Sequence, residues 1–267
     1  MIDQESLRSK FNPEGSELRD IQHRLMAVMI ELDKICNDNN IPYILTGGNV
    51  LGAVRHGGFI PWDDDIDIAL LKDDYKRLIS ILRNYNSSKY ILQEHRVDPD
   101  YINTFPKFRE RKGDLLGSLP QRGALYRYKG CGIDIFCMAP ISKLNARVSS
   151  SFHRRLLGNL YKIRNEKVRH IITSLRWYLC KVIFFFCNVL NVFRKDGELH
   201  HDQAQGIIKD IDYKSLLPYK RLPYEGVALP VPRDTHSFLT LYFGANYMDL
   251  PDNIQIHNKS LLEKNEK

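Results

Sequence analysis

The chain has 267 residues, of which 43% are hydrophobic, 27% charged and 10% aromatic. This excludes a disulfide-stapled peptide and a disordered segment, and it gives enough mass to hide about three quarters of the unfolded surface. The net charge of +7 is uneven, because Ser142 through Lys195 contain twelve basic residues and one acid, Glu166, leaving the rest of the chain net negative. A nucleic-acid-binding face spread over the whole fold is therefore not expected, whereas a local anionic contact is.

The first ten residues, MIDQESLRSK, lack the apolar stretch of a secretory signal. Cysteines at 36, 131, 137, 180 and 187 are odd in number and scattered, with neither a CxxC pair nor structural-zinc spacing. A reducing cytoplasm is the expected setting.

In chain order, Leu18, Ile21, Leu25, Val28, Met29, Leu32 and Ile35 recur at steps of three and four and predict a helix over 18–36. Asn37–Asn40 and Pro42 end it. Tyr43–Thr46 reads as a strand that enters a tight turn at Gly47-Gly48, with a short helix over 49–55 and a loop at His56-Gly57-Gly58. The next strand is expected to begin within Asp63–Asp65. Along Asp65-Ile66-Asp67-Ile68 acids and isoleucines alternate with period two, so both carboxylates share one face and both branched side chains the other. A helix is predicted over 73–83, with strands at 90–93, 105–109 and 132–136. The product is an α+β fold, a mixed sheet with packed helices.

Three parts are expected: a catalytic core over 1–141, a basic and aromatic helical insertion over 142–196, and a C-terminal segment over 197–267 that packs back on the core. In the insertion, the uncharged run Val182–Phe193 has twelve residues, against about twenty needed to cross a bilayer. A membrane-surface helix or re-entrant hairpin fits this pattern, with a buried core helix as the alternative. Beyond it, 213–217 is followed by a loop punctuated by Pro218, Pro223, Pro230 and Pro232, then a helix over 235–242. His200-His201 reads as a solvent-facing pair.

Asp63, Asp64, Asp65 and Asp67 are costly to gather, since like charges a few ångströms apart raise one another's pKa values. A divalent cation offsets this directly. Asp65 and Asp67 point the same way, and Asp134 is the best third carboxylate for an oxygen-rich Mg²⁺ or Mn²⁺ site. Such an ion normally shares its shell with substrate phosphates, which points to phosphoryl or nucleotidyl transfer. Gly47-Gly48 between strand and helix lets backbone N–H groups approach phosphate oxygens. Arg55 and His56 either meet phosphate or pair with Asp63 or Asp64. Lys107, Arg109 and Arg111 alternate along a strand and either face a diphosphate or are solvated surface.

The run from Thr46 to Ile68, TGGNVLGAVRHGGFIPWDDDIDI, resembles the signature of the LicD family, fukutin-related phosphocholine transferases within the nucleotidyltransferase superfamily. Asn49 stands where that family often has Thr. Pieces over Leu18–Cys36, Tyr224–Pro232 and Tyr242–Met248 resemble its leading helix and closing motifs. The resemblance implies a nucleotidyltransferase-like fold with Gly47 and Gly48 at the donor turn and Asp65, Asp67 and Asp134 as catalytic and metal-binding residues; Arg55, His56, Lys107 and Arg109, from the residue pattern above, are the further candidates around the donor. It further implies transfer of phosphocholine or a related phospho-alcohol from CDP-choline or another CDP-alcohol to a hydroxyl of teichoic acid, lipopolysaccharide, capsule sugar or a lipid-linked precursor. A cytoplasmic enzyme at the inner face of an anionic membrane, with no nucleic-acid partner, would follow. Choline would favour aromatic faces, for which Trp62, Tyr126, Tyr128, Tyr242 and Tyr247 are candidates. Nucleotidyl transfer from an NTP and an inactive membrane-assembly scaffold stand as the alternatives.

Overall fold

The computed structural model describes residues 4–113, 123–189, 191, 198–201, 209–251 and 254. After a short helix α1 (Gln4–Phe11), helix α2 (Glu17–Asp38) starts at Ser16, whose side chain accepts from Arg19 N, and buries the apolar stripe read from the sequence. Strand β1 (Ile44–Leu45) leads through the glycine turn into α3 (Gly48–Arg55). Strand β2 (Asp67–Leu71) runs directly into α4 (Lys72–Arg83). Strands β3 (Tyr90–Gln93), β4 (Lys107–Glu110) and β5 (Gly132–Ala139) complete the order β1-β2-β5-β4-β3.

β2 and β5 are parallel and the other pairs on this path antiparallel, so the sheet is mixed and curled. Helices α2 and α4 pack together against it, tied where Arg77 Nη2 donates to the Asn39 carbonyl at 3.0 Å. Ile66 and Ile68 are fully buried, and burial of each contributes about 2 kcal/mol toward fixing the acid-bearing segment.

β2 begins at Asp67, later than expected: Asp63 to Ile66 form a loop, closed at one end by Asp63 N donating to Ile60 O at 2.9 Å. Ile66 stays buried while Asp65 is half-buried, so the alternation survives without the strand. The 105–109 strand is shifted to 107–110, because Pro106 supplies no N–H.

Helices α5 (Lys143–Leu157) and α6 (Glu166–Val189) pack on each other. They form an apolar cluster of their own with Ile102, Leu157, Leu160, Trp177, Cys180 and Phe184. Arg169 fixes α6 to the loop before β4 through a buried pair with Asp100, Nε to Oδ1 at 2.6 Å and Nη2 to Oδ2 at 2.9 Å. With 24 residues, α6 is long and apolar enough to cross a membrane. The uncharged-run count understated it because Lys181 does not interrupt the helix, its ammonium lying 4.8 Å from the Trp177 ring centre. Residues 190 and 192–196 of the expected insertion lie outside the described residues.

Strand β6 (Glu198–His201) continues the sheet beside β5 and pairs with β7 (Ile211–Asp212), after which comes α7 (Tyr213–Leu216). His200 is buried, with Nε2 2.9 Å from Asp210 Oδ1, so it is not a solvent-facing residue. The proline-punctuated stretch is a hairpin, β8 (Lys220–Tyr224) and β9 (Val227–Val231), followed by α8 (Thr235–Phe243). A two-stranded sheet has outward edges that tolerate Pro223 and Pro230.

Candidate active site

The register of three strands builds the site. Asp67 of β2 is the Cα partner of Asp134 of β5, and Asp134 is the partner of Lys107 of β4, which sets two carboxylates and an ammonium in one row. Lys107 Nζ lies 2.9 Å from Asp134 Oδ1 as a charge contact outside hydrogen-bond directionality. Asp65 stands beside Asp67 from the loop. Burial first, then the charges of Asp65 and Asp134, push the Asp67 carboxyl well above the usual range, with Lys107 opposing. Asp63 is raised in the same way by burial, Asp65 and Asp64. Both keep a partly exposed edge, yet the surrounding protein and like charges act in one direction.

The glycine turn faces this row. Gly47 has φ +55°, a conformation open to glycine at little cost, and a Cβ there would meet nothing within 4 Å. A Cβ at Gly48 would stand 3.2 Å from Asp63 Oδ2, so the α3 N-terminus lies against a carboxyl group. The acid nearest the turn is thus Asp63. It belongs to the acidic run in the sequence, but only the loop fold brings it there.

Asn49 holds the two acids in place. Its Nδ2 donates to the Asp65 carbonyl at 3.0 Å and to Tyr224 Oη at 3.3 Å, while its Oδ1 accepts from Asp67 N at 2.6 Å. Thr46 N donates to Asp67 O at 3.0 Å, and the fully buried Gln22 donates to Asp63 O at 2.9 Å. Every turn of the acidic segment is therefore fixed through its backbone, leaving the carboxylates to face the site. A polar residue one step after Gly-Gly is the sequence signal for Asn49; nothing in the local pattern marks Gln22 or Tyr224.

Other expected residues are turned elsewhere. Arg55 is buried and donates to the carbonyls of Tyr247 at 3.1 Å and Asp249 at 2.9 Å, and to His56 Nε2 at 2.9 Å. His56 Nδ1 meets Gln4, and burial together with Arg55 holds its pKa down to about 4. The pair joins α1 to the stretch around Tyr247 and Asp249 over α3, and among the described residues neither pairs with Asp63 or Asp64. Arg109, also buried, donates to the carbonyls of Gly130 and Tyr128 and to Gln93 Oε1. Arg111 donates to the carbonyls of Ser87 and Tyr90, so of the three bases Lys107 alone reaches the acids.

Among the aromatic candidates, Trp62 is core, packed edge-on against Phe11 at 5.2 Å. Tyr242 lies beside Thr46 and near Asp67, and Tyr126 packs against Tyr101, which lies near Asp134. Tyr247 contacts His236, and Tyr128 lies under Arg127.

Among the described residues no three His, Cys, Asp or Glu side chains are already gathered as a metal site. The donor chemistry nonetheless suits a hard divalent ion. It consists of carboxylates only, and the burial and mutual repulsion that raise the Asp67 pKa are what a bound cation would offset.

Residues 40–124 match the family model described as LicD/FKTN/FKRP, nucleotidyltransferase domain. The glycine turn, the acidic segment and Lys107 fall inside this match, and Asp134 joins them by strand register. The protein is thus an enzyme of the LicD/nucleotidyltransferase superfamily. Over 251 residues it is 25% identical to the lipopolysaccharide cholinephosphotransferase LicD of Haemophilus influenzae, covering 88% of this chain and 92% of that protein. The uncharacterized protein RP689 of Rickettsia prowazekii is 38% identical over 73 residues, 27% of each chain. Human ribitol 5-phosphate transferase FKRP is 50% identical over 34 residues, 13% of this chain and 7% of that protein. The chain is a LicD-family nucleotidyltransferase-domain protein, related to the fukutin-type glycosyltransferases.

Proposed function

We propose that this enzyme moves phosphocholine, or a related phospho-alcohol, from a CDP-activated donor to a hydroxyl of a cell-surface glycan or its lipid-linked precursor. The observation that carries the reading is the Asp67–Asp134–Lys107 row opposite an open glycine turn. The name of the relative matched along most of its length, a cholinephosphotransferase, supports the choice of payload.

Asp65, Asp67 and Asp134 are the residues that would hold Mg²⁺ or Mn²⁺, and the bound ion supplies positive charge to the donor's phosphate oxygens. The turn admits those phosphates to within reach of the backbone at Gly47, where a Cβ would meet nothing within 4 Å, while Gly48 stands against the Asp63 carboxyl. The acceptor hydroxyl oxygen bonds to the phosphorus that carries the alcohol, the P–O bond to CMP breaks, and the hydroxyl proton passes to Asp134. Lys107 keeps Asp134 in the row and offsets charge on the departing phosphate. Of the aromatic candidates, Tyr126, edge-on to Tyr101 beside Asp134, would offer a face to a quaternary ammonium, whereas Tyr242 is stacked on Phe238. The helical hairpin α5–α6 keeps the enzyme at the inner face of the membrane, where lipid-linked acceptors are presented.

The test is a panel of CDP-choline, CDP-glycerol and CDP-ribitol with a glycan acceptor and Mg²⁺, followed by CMP release. CMP released with CDP-choline, with the phospho-alcohol on the glycan, is expected. Turnover with CDP-ribitol or CDP-glycerol alone would reassign the payload, and diphosphate released from an NTP would replace the reading by nucleotidyl transfer.

A further inference from the structure

Helix α6 is apolar on two sides. Its inner side, Trp177, Cys180 and Phe184, is buried in the second cluster, while Ile171, Leu175, Phe185 and Phe186 are each more than 60% exposed on the outer side. Buried Arg169 and its Asp100 partner pin the helix along the flank of the domain, so the outer stripe faces away from the protein along the helix's length. From Ser142 to Val189 the hairpin carries ten Lys and Arg against Glu166 alone.

Between α6, α4 and the loop before β4 lies a cavity of about 380 Å³. Its charged lining is Lys76, Arg83, Arg96 and Lys181 against Glu94; Arg83 pairs with Glu94 at 2.8 and 2.9 Å, and Lys76 with Asp73 outside the cavity at 3.2 Å. His95, 5% exposed, also lines it; the ring stacks on Trp177 at 4.9 Å and Nε2 meets Ser174 Oγ at 3.2 Å. Tyr178 belongs both to the cavity wall and to the exposed side of α6, so cavity and stripe are continuous.

We infer that this cavity takes the phosphate headgroup of an anionic membrane lipid whose acyl chains lie along the outer side of α6. The excess of cations over carboxylates in this lining suits a phosphate, which brings both acceptor oxygens and charge. The adjoining apolar side suits lipid chains, and the bases of the hairpin complement an anionic surface. A second copy of this chain would present the same basic hairpin and repel it. The inference rests on the inner-membrane reading above and adds to it a specific lipid site away from the acids.

Two measurements separate the site from that reading. In flotation with vesicles of phosphatidylglycerol and phosphatidylcholine, the protein should float, and Leu175→Glu combined with Phe185→Glu should abolish it. In titration with monomeric dihexanoyl-phosphatidylglycerol, followed by Trp177 fluorescence, Arg96→Gln with Lys181→Gln should weaken binding at least tenfold. Arg155→Gln, an exposed base outside the cavity, should change it less than twofold. The single variant Arg96→Gln, at an exposed position, repeats the test if the double variant does not fold. Equal lipid binding by wild type and cavity variants overturns the headgroup site even where flotation persists. Equal flotation by wild type and the Leu175/Phe185 variant overturns the membrane reading instead. Inorganic phosphate displacing the short-chain lipid at equal concentration would mark a free-phosphate site, and a concentration-dependent dimer that covers the stripe would put a second copy in the lipid's place; either result overturns the inference.

Discussion

The acid row and the α5–α6 hairpin break opposite rules of folding. At the row, carboxylates are crowded where burial and mutual repulsion oppose their charge. On the hairpin, large apolar side chains are left in water. The first is held by a lattice of backbone hydrogen bonds from Asn49, Thr46 and Gln22. The second is held mainly through side chains: the Arg169–Asp100 pair, His170 on the same carboxylate, His153 on the Ile102 carbonyl, the His95–Trp177 stack and a small apolar cluster. The difference teaches that the chain spends rigidity where atoms must be placed to fractions of an ångström. Where a surface need only be presented, it spends little, and such departures from local consistency are expected at functional sites.

The sharpest way to break this comparison is Asp67→Asn. Transfer should fall about a thousandfold or more, roughly 4 kcal/mol of barrier, while the melting temperature of the metal-free protein stays level or rises, because a repelled charge has been removed. A variant that loses both activity and stability would show that the row is structural. Next in size is Asn49→Ala, which strips the Asp67 N–H and Asp65 carbonyl of a partner. It should cost about 1–3 kcal/mol of stability and lower kcat more than it raises KM; unchanged kcat would remove Asn49 from the positioning role.

His56 tests the closure over α3. Its folded pKa, about 4, is below the unfolded value of 6.5, so the native state binds fewer protons between these values. Stability therefore is full above pH 6.5 and is lost as pH falls toward 4, by about 2 kcal/mol once solvent screening is allowed for. Denaturant titrations across this window should show the slope, and His56→Gln should flatten it. The smallest effect is expected on the hairpin: Leu175→Glu with Phe185→Glu should leave the unfolding free energy within about 0.5 kcal/mol, since both side chains are more than 60% exposed and Phe185 meets only the exposed Phe186 ring. A large loss would mean that the outer side of α6 is covered in the folded protein.

Much of the site was legible before any coordinates. The glycine pair between strand and helix, the burial of Ile66 and Ile68 and the strand carrying Asp134 stand where the sequence predicts them, while the strand carrying Asp67 starts later than its acids suggest. Arg55, His56 and Arg109 show the limit. Residue type and position in the chain mark them as phosphate ligands as readily as Lys107, yet their partners are carbonyls and side chains supplied by distant segments. The uncharged run Val182–Phe193 also differs from the apolar helix, whose 24 residues begin at Glu166 and include Lys181.

The sequence alone determined the local elements, the acidic cluster and the basic, apolar hairpin, because hydrophobic period, turn chemistry and charge density act between near neighbours. Only the tertiary structure decided which charges meet. It set Lys107 against Asp134, Asp63 against the glycine turn and Asn49 across both acids. Those contacts depend on strand register and loop closure between residues far apart in the chain, and no local pattern encodes them.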